Sequence, residues 1–488
     1  MRKISNLETK IKASGRAYFT KRTAHLSFQG PLPKKPSWAA WPRIITWATS
    51  TAALGVTLTV MVSMLLGATQ PEGSLPKAFT GIQPLNEVQF PSVDREQLGQ
   101  EDALESFAYQ QYINQISDYF QFTSQTIFAS NDNVVYSPYS AYATLSLLLE
   151  AAGGETKTAL EALLQTDSLA SLREGSRFAF AQTYQLVTNI VNQRPQTLAR
   201  SLMANGVFVR DDITVNPDYL STLATQYFAE VFHTRFDAEG VEDIVSWLNQ
   251  RTFDVLSMQP EDLSLNQDTA LSLFNTLYLK ANWQRAFTPL TNRSSFTNTA
   301  NGAVLNQVSF MQKDTATTLY LDQPEFTLTV DQAYGDYRVV YVLPKGNIQP
   351  LALLSELNFP SIQAAFSETS VNETVRLTVP ITTIQSKLDL KETLLSVYPT
   401  IATLFNPATA DLSNALPNAF LQSLIQHVKI DMNPSGVEAA AITEANVGVT
   451  SAPIPPRVTM TLDRSYLYFL VNADGLLMFA GLVNQPNA

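Results

Sequence analysis

Apolar residues in the first half of the chain recur at helical spacing. In Asn133–Thr156, NVVYSPYSAYATLSLLLEAAGGET, the side chains of Leu145, Leu148, Leu149 and Ala152 share one face of a helix. Ser137 can cap that helix, Pro138 suits its first turn, and Gly153-Gly154 stops it. The next stretch, TKTALEALLQ, predicts a second helix with Leu160, Leu163 and Leu164 facing inward. Later the period changes. Tyr337–Pro344, YRVVYVLP, is an almost unbroken apolar run of strand length, which predicts a strand buried on both faces. SYLYFLV and LLMFAGLV flank the turn signal Asn472–Gly475, NADG, and predict a buried hairpin. Helices first and strands later, without strict alternation, point to an α+β fold.

One stretch near the C-terminus follows neither pattern strongly. Asn433–Pro456, NPSGVEAAAITEANVGVTSAPIPP, is rich in small residues and has no basic one. Its alternate positions nevertheless sort. Val437, Ala439, Ala441, Thr443, Ala445, Val447 and Val449 are uncharged and small or β-branched. Glu438, Ala440, Ile442, Glu444, Asn446, Gly448 and Thr450 hold both acids and the asparagine. That is the alternation of a strand with one packed face and one wet face. Gly436 and the small side chains make it a weak strand alone. It reads either as a plain flexible loop or as a segment that becomes a packed strand in another state.

The N-terminus differs from the rest in charge. Residues 1–43 hold ten Lys/Arg and one acid, whereas the remaining chain has 22 basic and 42 acidic residues. An acidic body argues against nucleic-acid binding. Ile44–Ala68 contains 25 uncharged, mostly apolar residues, enough for a membrane-spanning helix. The basic flank precedes it, so residues 1–43 are expected to be a cytoplasmic leader and the body extracytoplasmic. A cleaved signal segment is the alternative for 44–68, with secretion as the outcome. Residues 69–102, with Pro71, Pro76, Pro84 and Pro91, read as a linker. A single domain is expected over 103–488.

Catalytic signatures are sparse. There is no cysteine, so disulfides, thiol nucleophiles and Cys-based zinc sites are excluded. The body has only two histidines, His233 and His427, and no HExxH, phosphate-binding loop, dinucleotide fingerprint or Gly-x-Ser-x-Gly elbow. A Ser–His–Asp arrangement around either histidine is the remaining enzymatic reading, because triads are spatial. Asp237, Glu239, Glu242 and Asp243 read as a solvated acidic face. No metal and no cofactor is expected.

Several motifs, in order, resemble those of the serpin family. They are Asn133–Thr156, then FNTLYLKANWQRAF (Phe274–Phe287) with Asn275, Lys280, Trp283 and Phe287, then YGDYRVVYVLP (Tyr334–Pro344). LDLKETL (Leu388–Leu394), ADLS (Ala410–Ser413), GVEAAAIT (Gly436–Thr443) and DRSYLYFLVNADGLLMFAGLVNQP (Asp463–Pro486) follow. The resemblance implies three β-sheets, about nine helices and an exposed reactive loop, here 436–456. It implies a suicide inhibitor rather than an enzyme. A serine protease cleaves the loop, and the loop inserts into the central sheet while the acyl-enzyme is trapped as a covalent complex. The hinge would be Gly436, Val437, Glu438, Ala439, Ala440, Ala441, Ile442 and Thr443. A binding serpin or a plain protease substrate is the alternative reading of the same fold. The expected partner is the protease, met by a monomer.

Counting fifteen residues from Gly436 places the reactive bond at Thr450–Ser451; counting back from PPRVTM favours Ser451–Ala452. Either bait is small and uncharged, which suits an elastase-like or subtilisin-like enzyme with a small S1 pocket. Two positions depart from the family pattern. Pro434-Ser435 stands where relatives carry acids, and a proline there removes a ladder donor and stiffens the strand's start. Gln426 aligns with the family's histidine at the top of the central sheet, and His427 is one residue off, on the other face.

Overall fold

Nine helices and twenty strands are found among the described residues, which in this computed structural model are 82–84, 106–191, 194–317, 319–354, 357, 373–437 and 457–486. The expected leader 1–43, the apolar run 44–68 and most of the 69–102 linker lie outside them. No helix among the described residues is long and apolar enough to cross a membrane.

The early helices form where their caps predict. α1 (Phe107–Ile127) starts on Ser106, whose hydroxyl accepts from the Tyr109 amide. α2 (Pro138–Ala151) starts on Ser137, with Pro138 in its first turn. α3 (Gly154–Leu163), α4 (Leu169–Thr183) and α5 (Pro217–Gln226) follow. α6 (Ala238–Arg251) is capped by Asp237; α7 (Pro350–Leu353), α8 (Leu390–Val397) and α9 (Ala402–Phe405) complete the set. α2 does not show the single apolar face expected of it. All of its residues are buried, because neighbours surround it on every side. Its polar members are accommodated internally: Thr144 and Ser146 donate to the carbonyls of Ser140 and Tyr142 at 3.0 and 2.9 Å. Glu150 takes both arms of Arg173, at 2.7 and 2.6 Å, and the Tyr227 hydroxyl. The acidic run at 237–243 is likewise only partly solvated, since Asp237 caps α6 and Asp243 is buried.

The strands in chain order are β1 (Ile82–Pro84), β2 (Val134–Tyr136), β3 (Gln185–Val191), β4 (Arg194–Arg210), β5 (Ala229–Thr234), β6 (Leu271–Asn282) and β7 (Thr288–Pro289). β8 (Ser294–Thr297), β9 (Val304–Val308), β10 (Phe310–Thr317), β11 (Tyr320–Asp322), β12 (Phe326–Gln332), β13 (Arg338–Pro344) and β14 (Glu373–Pro380) follow. β15 (Thr382–Asp389), β16 (Ile425–Met432), β17 (Gly436–Val437), β18 (Val458–Thr461), β19 (Tyr466–Val471) and β20 (Leu477–Val483) end the chain. The central sheet has the order β1-β5-β4-β6-β17-β16-β15, with β3 folded back on β4. A second sheet runs β11-β12-β13-β19-β20-β2 and contains the expected 466–483 hairpin; a third runs β18-β14-β10-β7. A two-stranded ladder, β8-β9, adds to the three sheets anticipated. This is the serpin fold expected from the motifs.

The main core joins the helices to the lower part of the central and second sheets, and a second core fills the space between the three sheets. α6 lies on the outer face of the central sheet, with Trp247 packed on Phe208 and Phe232. Gly206 leaves room for the Trp247 ring, which a Cβ there would meet at 2.7 Å. β1 comes from the segment expected to be linker. It pairs antiparallel with β5, Ile82 opposite Thr234 and Pro84 opposite Phe232, because the outer edge of β5 offers unpaired backbone groups. An edge is also where a proline is tolerated in a sheet.

Candidate functional site

In the central sheet β6 and β16 flank the two-residue β17, the only strand between them among the described residues. Gly436 pairs with Asn282 of β6, and Val437 pairs with Ala281 of β6 and Met432 of β16. Among the described residues no ladder links β6 to β16 below that point. A cavity of about 360 Å³ lies there, its walls including Ser140, Asn275, Leu277, Gln426 and Val428. Among the described residues only β17 enters this slot, at its upper end.

The seated residues follow the alternation read from the sequence. Val437 points into the core between the sheets and is 3% exposed, beside Ala281 and Met432, both fully buried. Gly436 is required by the fit. A Cβ at this position would lie 2.4 Å from the Ala281 carbonyl oxygen and 2.8 Å from the Asn282 Cα, both backbone atoms of β6.

Pro434 lies before the strand rather than in it. It sits in the turn that reverses β16 into β17, where the Asn433 amide donates to the Gly436 carbonyl at 3.0 Å and the Gly436 amide to the Asn433 carbonyl at 3.3 Å. The first central position of a tight turn suits a proline's fixed φ and asks no donor of it. The Asn433 side-chain oxygen accepts from the amides of Ser435 and Gly436 at 2.9 and 3.2 Å, as turn asparagines do.

The same turn is tied to the residues after β6. The Trp283 indole donates to the Asn433 carbonyl at 2.9 Å, the Phe287 amide to the Pro434 carbonyl at 2.9 Å, and the Trp283 amide to the Ser435 carbonyl at 3.0 Å. Beneath the two rings lies the Lys313 ammonium, 4.9 Å from the Trp283 centroid and 4.2 Å from that of Phe287. It is paired with Asp331 at 2.7 Å, and both side chains are essentially inaccessible. Burial pushes the lysine's pKa down and the aspartate's up, each opposed by the partner's charge.

Gln426 is not at the top of the central sheet as expected but near the start of β16, at the end away from the Met432–Val437 pairing, where it is buried and reads the Ser137 backbone twice. Its amide donates to the Ser137 carbonyl at 2.8 Å, and its oxygen accepts from the Ser137 amide at 3.0 Å. Gln426 thus joins β16 to the start of α2, and the Ser137 hydroxyl continues to the Met478 carbonyl at 2.7 Å. Opposite it, Asn275 donates to the Asn205 side chain at 2.7 Å, while no hydrogen bond to its own oxygen is found among the described residues. His427 faces the other side of the sheet, as its register requires. Burial, then the Lys387 charge, lower its pKa. His233 lies near the surface with Asp211 at 3.9 Å. The two histidines are on different strands, β5 and β16, at opposite sides of the slot.

Of the residues expected to act, Gly436 and Val437 are thus in the sheet. Glu438, Ala439, Ala440, Ala441, Ile442 and Thr443 lie outside the described residues, as do Thr450, Ser451 and Ala452. Lys313 and Asp331 were not singled out from the sequence. The signal for Lys313 was present: it shares the buried alternate positions of β10 with Met311, Thr315 and Thr317.

The chain matches the family described as Serpin (serine protease inhibitor) over residues 117–486. It is 27% identical over 388 residues to intracellular coagulation inhibitor 1 of Tachypleus tridentatus, covering 76% of this chain and 89% of that protein. It is similar to the native-state crystal structure of the thermophilic serpin tengpin, with a TM-score of 0.65, 22% identity, and coverage of 78% and 94% of the two chains. Human thyroxine-binding globulin with its hormone is similar too, with a TM-score of 0.64, 20% identity, and coverage of 78% and 100%. With this match over most of its length, its motifs in order and its three sheets, the chain belongs to the serpin family.

Proposed function

We propose that this protein is a suicide-substrate inhibitor of serine proteases. The observation that supports the reading is β17: Gly436 and Val437 pair in register between β6 and β16, and among the described residues no other strand lies between those two. Continuing that antiparallel register one residue at a time puts Thr443 between Asn275 and Gln426, and Val447 opposite Leu271 at the start of β6. Ala439, Ala441, Thr443, Ala445 and Val447 would then face inward beside Val437, and Glu438 and Glu444 would face out. Small inward side chains meet no obstacle between two strands that are already apart. The protease cleaves at Thr450–Ser451 or Ser451–Ala452, and the released loop becomes the missing strand while its acyl-enzyme is carried along and distorted. The uncharged bait selects an elastase-like or subtilisin-like target.

The protein, whose folded body includes β1 as well as 103–488, acts as a monomer and needs no cofactor. Its apolar run at 44–68 supports an extracytoplasmic location, reached as an anchored protein or after cleavage of that segment. The test is incubation with elastase- and subtilisin-type proteases. An SDS-stable complex is expected, with a released C-terminal peptide beginning at Ser451 or Ala452 by mass spectrometry. Cleaved protein is expected to melt far above the intact form. Cleavage with no complex and no rise in melting temperature would replace inhibition by the binding or plain-substrate alternative.

A further inference from the structure

A fully buried Lys–Asp pair gives little net stability over an apolar pair of the same volume, because both ions lose their hydration. The position of Lys313–Asp331 is therefore the informative part. The Lys313 ammonium is ion-paired with Asp331 Oδ2 and donates to the Arg285 carbonyl, each at 2.7 Å. What remains of its charge faces the rings of Trp283 and Phe287, which meet edge to face at 5.4 Å. These two residues hold the carbonyls of Asn433, Pro434 and Ser435, the three residues immediately before Gly436. A continuous path of short contacts thus runs from a buried cation to the turn that sets β17. An apolar side chain in place of Lys313 would fill the volume. It would supply neither the donor to Arg285 nor the charge that orients the rings.

We infer that Lys313 is a positioning residue for loop insertion: held by Asp331, it fixes Trp283 and Phe287 and so locks the Asn433–Gly436 turn with β17 in register. The consequence is kinetic. A one-residue slip would turn the loop's charged face inward. An anchored turn lets insertion start from the correct pairing as soon as the loop is cut, and a loose one gives hydrolysis of the acyl-enzyme more time. The inference rests on the inhibitory reading for its functional consequence, and on hinge geometry alone for its structural part.

The test compares wild type with Lys313→Met/Asp331→Asn, which removes both charges while keeping an acceptor for the Gln332 amide at position 331. Against a protease that forms a complex with wild type, the stoichiometry of inhibition is expected to rise about tenfold. The kcat/KM for loop cleavage should stay unchanged, and hydrogen exchange at Gly436–Val437 should quicken. A merely structural role would lower the melting temperature and leave the partition between complex and cleaved product alone. Stoichiometry within twofold of wild type, or unaltered exchange at Gly436–Val437, would overturn the inference. If wild type traps no protease, the inhibitory reading fails separately, and the exchange measurement still decides whether Lys313 anchors the turn.

Discussion

Gly436→Ala tests the seating of β17 directly. The added methyl would stand 2.4 Å from the Ala281 carbonyl oxygen, about 1 Å inside ordinary van der Waals contact. The obstructing atoms are backbone of β6, which is hydrogen-bonded to β4 along nearly its whole length and cannot yield cheaply. The alternative is for β17 to leave the slot. Expulsion forfeits the burial of Val437, about 2 kcal/mol, and about two ladder hydrogen bonds at ~1 kcal/mol net each. A loss of about 4 kcal/mol corresponds to nearly three orders of magnitude in the seated-to-expelled ratio. The assay is hydrogen exchange with mass spectrometry on peptides spanning 430–437. Protection of the Gly436 and Val437 amides should collapse by two to three decades while the β19–β20 hairpin keeps its protection. Retained protection at 436–437 in the alanine variant would show that β17 is not wedged as described and would refute the reasoning.

Two further outcomes follow from the slot walls. Gln426→Ala strips both partners from the Ser137 backbone in a buried site, so unfolding free energy should fall by about 2–4 kcal/mol in urea titrations; a loss below ~0.5 kcal/mol would contradict the role assigned to it. His427 has a folded-state pKa below its unfolded value, so the unfolded chain takes up the proton first and native stability declines as pH drops below about 6.5. His427→Gln should flatten that part of the stability–pH curve and leave stability above pH 7 little changed, as read from melting temperatures across pH 5–8.

Elements with strong local signals were legible in the chain. The Ser137 cap with Pro138 started α2 where expected, and NADG turned β19 into β20. The inward direction of Val437 also followed from alternation alone. Other expectations changed for reasons of environment. α2 showed no polar face because it is enclosed, a condition set by neighbours distant in sequence. Pro434 looked obstructive when read as the first residue of a strand. It lies instead in the hairpin turn, which begins one residue before it, and turn register depends on where β16 ends.

The sequence by itself determined the element types and the family, because these rest on periodicity and on motifs contiguous along the chain. The tertiary structure alone decided that Gly436–Val437 pair between β6 and β16. It alone brought Lys313 and Asp331 under Trp283, and admitted Ile82–Pro84 to the edge of β5. Those facts depend on pairings between residues up to about 150 positions apart, such as Trp283 with Asn433, for which no local propensity exists. They are settled only when the whole chain is packed and each strand's edge must be paired, covered or left open.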